Sequence, residues 1–215
     1  MLETKNIRLR DLVETDIPKR IYWEKTETEW QLWDAPWEYG EMSEEEQEAD
    51  LKKYIASLHR RVELARQKSE TDKRYSFEIE TRKEESYIGW VASYHIDNDY
   101  CITDVDGLCA IGICIPDRSA RGKGYAYEAL TAFISYLLEH GEQEIYLQTW
   151  AGNHRIVHIA EKIGFEECCR KKGIRSVRGE TYDGLTFRLD QKQYADFIHS
   201  YNAKESSEYY DCSVR

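Results

Sequence analysis

At 215 residues with a formal net charge of −11, the chain is long enough for one substantial core and too acidic for a general surface that neutralises a polyanion. Nucleic acid is therefore excluded as an expected partner, and amine-bearing, cationic partners are favoured. No apolar run approaches the length that spans a bilayer, and Met1 to Lys5 lacks the basic and apolar regions of a secretory signal, so a cytoplasmic protein without membrane association is expected.

Hydrophobic period and breakers set the chain order. A strand at Ile7 to Leu12 precedes a helix near Ile17 to Trp30 and an aromatic loop through Trp33, Pro36 and Trp37. Ser43 and Glu46 have capping-box spacing and open a second helix through Leu51, Ile55, Leu58 and Leu64. The acidic run from Glu41 to Asp50 reads as a solvated surface. Strands at Tyr75 to Thr81, Ser86 to Ile96 and Leu108 to Ile115 form an antiparallel meander. A glycine-bearing turn then leads into a helix whose Ala126, Ala129, Leu130, Phe133, Ile134, Leu137 and Leu138 share one face. Next come a strand at Glu144 to Trp150 and a helix from His154 to Ile163, with Asn153 as N-cap and Gly164 as its stop. Strands near Glu166 to Ser176 and Leu185 to Asp190 and a last helix at Gln191 to Tyr201 complete one domain over residues 1–201, and the polar tail 202–215 is expected to be disordered.

Six cysteines, Cys101, Cys109, Cys114, Cys168, Cys169 and Cys212, show neither a disulfide framework nor Cys-x-x-Cys, so reduced thiols packed in strands are expected. No His/Cys/Asp cluster has ligand spacing, which gives a metal no support.

The run Arg121-Gly122-Lys123-Gly124-Tyr125-Ala126 carries the most information, because a buried strand enters it and an amphipathic helix leaves it. Helix-start amides face outward there, and two glycines admit a phosphate against them while the helix dipole favours its charge. An ordinary tight turn is the alternative reading of the glycines. The spacing excludes a P-loop, which needs Gly-Lys-Ser/Thr, and a Rossmann fingerprint, which needs a third glycine.

With Arg121, Gly124 and Ala126 at the signature positions, this Arg-x-x-Gly-x-Ala run resembles the pyrophosphate-binding motif of the GNAT superfamily of acetyl-CoA-dependent N-acetyltransferases. Thr149-Trp150-Ala151-Gly152-Asn153, followed by Ala160-Glu161-Lys162-Ile163-Gly164-Phe165, is similar to the Asn-containing block of one branch. That branch includes ribosomal-protein alanine, spermidine and some aminoglycoside acetyltransferases. The resemblance runs roughly from Leu2 to Ile198 and implies an α/β (α+β) fold: a central mixed, mostly antiparallel, twisted sheet with helices on both faces. It implies acetyl-CoA as cosubstrate and a small-molecule or peptide amine as acceptor, and homodimers are common in that branch. By resemblance, the strands ending at Ile115 and Trp150 diverge to admit pantetheine, with Ile113 and Ile115 as main-chain partners. The amides of Gly122, Lys123, Gly124, Tyr125 and Ala126 would hold the diphosphate, and the Asn153 side chain would reach the pantetheine.

Direct attack of an amine on a thioester needs a base, an oxyanion stabiliser and an acid for the thiolate. Where relatives carry a glutamate this chain reads Cys109-Ala110-Ile111, leaving Asp104 and Asp106 as nearest acids, although both also read as turn residues. Where relatives carry a serine it has Ile156, leaving His154, His158 or water as thiolate acid, with Tyr182 as a further contact. Trp33, Asp34 and Trp37 lie in the region that forms the acceptor pocket by resemblance, where rings and carboxylates together suit a cation. Core packing explains Trp23 and Trp30 and accounts equally well for Trp33 and Trp37. A catalytically silent acyl-CoA sensor and an interaction protein with no CoA affinity remain the alternatives.

Overall fold

Ile7, Leu9, Phe77 and Ile79 are fully buried while the residues between them are charged, a period of two that fixes which face of a sheet meets the core. The computed structural model describes residues 1–39 and 43–211, with side chains through Tyr201. In order the elements are β1 (Leu2–Glu3), β2 (Ile7–Arg10), α1 (Ile17–Lys25), α2 (Glu44–Gln67), β3 (Ser76–Thr81), β4 (Tyr87–Ile96), β5 (Ile102–Thr103), β6 (Leu108–Cys114), α3 (Tyr125–Glu139), β7 (Ile145–Trp150), α4 (His154–Ile163), β8 (Phe165–Val177), β9 (Glu180–Leu189) and α5 (Gln191–Asp211). Short 3-10 turns occupy Glu14–Asp16, Thr28–Leu32, Pro36–Glu38 and Arg118–Ala120.

The sheet order is β1-β2-β3-β4-β6-β7-β9-β8, with β5 added to β4. β6 and β7 run parallel and every other described pairing is antiparallel, so the mixed, mostly antiparallel sheet matches expectation. On one face α3, α4 and α5 bury Leu130, Phe133, Ile163 and Tyr194 against Ile111, Leu147 and Phe187. On the other, α1 and α2 close over a charged belt. Arg20 Nη2 meets Glu78 Oε2 at 2.8 Å and Arg61 Nη2 meets Glu78 Oε1 at 3.0 Å, with Arg20 and Glu78 both buried. Beneath the same helices Trp23, Trp30 and Trp90 pack together, and the Arg20 guanidinium lies 3.4 Å from the Trp90 ring centroid. No helix among the described residues is long and apolar enough to cross a membrane.

Four expectations need correction. The first helix ends at Lys25 instead of reaching Trp30, because Thr26 and Thr28 are weak helix formers and Trp30 Nε1 takes the Trp23 carbonyl (3.0 Å), an acceptor a continuing helix would give to the residue-27 amide. β8 and β9 form one long hairpin whose strands meet at a two-residue turn, Arg178 and Gly179, both at positive φ. α5 continues through Asp211, beyond the expected Tyr201, since no glycine or proline breaks residues 202–211. Among the cysteines, Cys109 and Cys114 pack in β6, where burial pushes the Cys109 thiol up to about 12, but Cys101 sits exposed in the turn before β5. Cys212 lies outside the described residues.

Candidate active site

The site begins where two parallel strands part. β6 and β7 pair at Cys109 with Ile145, Ala110 with Tyr146 and Ile111 with Leu147, and there the ladder stops. β6 continues to Cys114, held on its far edge by β4, and β7 continues to Trp150, held by β9. The facing edges therefore open into a V, the arrangement that accepts an extended chain as an added strand. A cleft of about 1300 Å³ occupies this opening, lined along its length by Ile111, Ile113, Ile115, Leu147 and Thr149.

At one end of the cleft, α3 starts from a left-handed pair. Gly122 (φ 74°) and Gly124 (φ 84°) hold backbone conformations that other residues enter only with strain, and a Cβ on either would point into open space. Their bare backbone leaves the first turn of α3 open to a ligand. Among the described residues, no acceptor engages the amides of Gly122, Lys123, Gly124, Tyr125 or Ala126. Three of these belong to the turn and two to the helix's first turn, whose amides have no intrahelical partner by construction. Arg121 braces the cradle from behind. Its Nε donates to the Ile115 carbonyl (3.0 Å), its Nη2 to the Pro116 carbonyl (3.1 Å) and its Nη1 to Glu29. Burial raises the Glu29 carboxyl, yet bonds from Arg121 and Trp33 Nε1 (2.9 Å), with Arg155 beyond, hold it below its ordinary range.

At the other end, the segment between α1 and α2 is pinned across the opening. The Trp33 carbonyl accepts from Trp150 Nε1 (2.9 Å) and Asn153 Nδ2 (3.1 Å), while Asn153 Oδ1 caps α4 at the Ile156 amide (3.5 Å). This fixes Trp33, Asp34 and Trp37 as cleft walls, facing Tyr94 of β4 and Arg175 of β8. Arg155 lies 4.3 Å from the Trp33 ring centroid and Arg175 lies 4.1 Å from that of Trp37. Asp34 is open to the cleft but walled by protein, and the lost hydration, with Glu38 adding repulsion, pushes its carboxyl up to about 6.

A family model described as "Acetyltransferase (GNAT) domain" matches residues 6–166, about three quarters of the chain. The chain belongs to the GNAT acetyltransferase family. Solved structures agree on the fold. A GNAT-family acetyltransferase from Bacillus anthracis superposes with a TM-score of 0.63 at 14% identity, covering 89% of this chain and 98% of that one. A ribosomal-protein-alanine N-acetyltransferase from Brucella melitensis gives 0.60 at 16% identity, covering 84% and 98%. The structure of yncA from Salmonella typhimurium, determined with its cofactor acetyl-CoA, gives 0.60 at 13% identity, covering 86% and 94%. No curated protein matches in sequence at a significant level. Family membership makes acetyl transfer from acetyl-CoA the reaction class.

Within this GNAT cleft the sequence-derived candidates divide. Ile113, Ile115, Arg121, Gly122, Gly124, Tyr125, Ala126, Asn153, Trp33, Asp34 and Trp37 all line it, whereas the Lys123 side chain is exposed outside it. His154 and His158 are exposed and outside the cleft, because α4 turns Ile156, Ile159 and Lys162 inward and the helical period sends the histidines outward. Asp106 lies exposed in the bend before β6, away from the lining residues. Tyr182 is also outside: its ring packs edge-on to Trp150 at 4.9 Å and its hydroxyl donates to Glu180, so it props the cleft wall. Sequence reasoning placed Glu29 in the acceptor region but missed Tyr94, Trp150 and Arg175. Trp150 carried a signal, an aromatic ending a strand just before Asn153, but Arg175 lies in the strand expected near Glu166 to Ser176, where Arg170, Lys171 and Lys172 give it no distinguishing mark.

Proposed function

We propose that residues 1–201 form one N-acetyltransferase domain that moves an acetyl group from acetyl-CoA to a primary amine. The observation that carries this reading is the V between β6 and β7 ending on the open amides of residues 122–126. That geometry fits the cosubstrate in two respects. The unpaired edge at Ile113 and Ile115 offers main-chain groups to an extended pantetheine arm. The amides of Gly122, Lys123, Gly124, Tyr125 and Ala126, at the positive end of α3, suit a diphosphate. Arg121 keeps these parts in register by bonding both the end of β6 and Glu29. Asn153 is a positioning residue, because its side chain is committed to the Trp33 carbonyl and the α4 cap.

When bound, acetyl-CoA supplies the thioester that an amine attacks. Asp34 is the residue we assign to the attacking amine. Its carboxyl, pushed up to about 6, is ionised at neutral pH and can accept the proton the nitrogen gives up as it attacks the thioester. Trp33 and Trp37 line the same cleft, each ring stacked on a guanidinium, of Arg155 and Arg175 respectively. Calorimetric titration with acetyl-CoA, paired with thiol release on a panel of primary amines, tests the assignment. Saturable binding with turnover supports it; saturable binding without turnover on any amine would replace it with an acyl-CoA sensor, and no binding would remove both.

A further inference from the structure

Arg175 has no counter-ion in a cleft that supplies one to Arg121 and Arg155. Arg121 and Arg155 both face Glu29, but no carboxylate among the described residues lies within ion-pair range of Arg175. Its Nε is buried without an acceptor, an expensive state for a donor of a charged group. The guanidinium lies 4.1 Å from the centroid of the Trp37 ring, contact that orients its planar fork while leaving its edge donors to bond. Its opposite number in the cleft is Asp34, and the two act on Tyr94 with opposite sign: Asp34 raises that hydroxyl's pKa and Arg175 lowers it. A negative and a positive group thus converge on one aromatic pocket walled by Trp37 and Tyr94.

We infer that the acceptor is a small zwitterion, a primary amine that also bears a carboxylate, with its amine at Asp34 and its carboxylate on the Arg175 fork. This rests on the transfer reading above and narrows it. A planar carboxylate matches the two terminal nitrogens of the guanidinium bidentately. A polyamine offers nothing to Arg175 and would bring a second positive charge toward it.

Thiol release is measured with acetyl-CoA and each of the twenty amino acids, with the same amino acids as primary amides, and with spermidine, using the full chain and its Arg175→Gln and Arg175→Lys variants. Acetyl-CoA affinity is measured in parallel by calorimetry. At least one free amino acid is expected to exceed its own amide in kcat/KM by about tenfold or more, the low end for a charge-assisted bidentate pair. Arg175→Gln is expected to remove that preference through KM, Arg175→Lys to restore part of it, and both to keep acetyl-CoA affinity within about twofold. Amides matching their acids, an equal loss for both in Arg175→Gln, or turnover confined to spermidine would overturn this acceptor while leaving the transfer reading intact. Acetyl-CoA binding without turnover on any amine would remove the transfer reading, and the acceptor with it.

Discussion

Asp34 gives the sharpest chemical test. A carboxyl at about 6 is roughly nine-tenths ionised at pH 7 and one-tenth ionised at pH 5, so a rate that needs the carboxylate falls about tenfold between them. At the ordinary value of 3.8 the same interval would cost less than about a tenth of the rate. Aliphatic amines stay protonated throughout this range and add no inflection of their own. The assay is kcat/KM for a turned-over amine at saturating acetyl-CoA from pH 5 to 8, for the natural chain and Asp34→Asn. The variant is expected to lose about a hundredfold at pH 8 and to lack the inflection near 6. Stability carries an independent sign. Because the folded pKa is raised, the folded state holds its proton more tightly than the unfolded chain, and stability is lost as pH rises from 3.8 to about 6. Asp34→Asn is therefore expected to raise Tm at pH 8 and to change it little at pH 4. An inflection near 6 that survives in the variant, or a Tm lowered at pH 8, would refute the assignment.

Three further substitutions probe the supporting structure. Gly124→Val puts a β-branched residue at φ 84° and twists the amides at the head of α3, so acetyl-CoA binding is expected to weaken about tenfold or more by calorimetry; unchanged affinity would contradict the cradle. Glu78→Gln leaves Arg20 buried with no carboxylate, and urea unfolding at pH 7 is expected to show a loss of roughly 3 kcal/mol. A loss below about 1 kcal/mol would mean that the pair is dispensable. Trp150→Phe removes the indole bond to the Trp33 carbonyl but keeps a ring against Tyr182. The acceptor KM is expected to rise about threefold to tenfold with acetyl-CoA affinity within twofold, and an equal loss of both would show that the pin does not act on the acceptor end alone.

Local chemistry made much of this fold legible. The Ser43 and Glu46 capping box, the Asn153 cap and the Gly164 stop stand where their side chains and backbone needs put them, so α2 and α4 begin as read and α4 ends as read. The strand into Arg121 and the apolar face of α3 follow from period alone. What stayed hidden depends on partners distant in sequence. The break after Lys25 serves the Trp30 bond to Trp23 and the aromatic cluster on Trp90. The raised pKa of Asp34 comes from its burial in a segment held by Trp150 and Asn153, which no local pattern announces. Arg175 falls within the expected strand, but its place in the cleft depends on the register of β8 against β9, which pairs it with Tyr182. The histidines of α4 drew attention by type and motif position, and the helical period turns them outward from the cleft.

The most direct measurement is an amide-resolved NMR titration of the labelled chain with acetyl-CoA. Saturable shifts are expected to concentrate on Gly122, Lys123, Gly124, Tyr125 and Ala126, with a second set along Ile113 and Ile115. Saturation that leaves those seven amides unmoved would contradict the cradle and the cleft reading built on it.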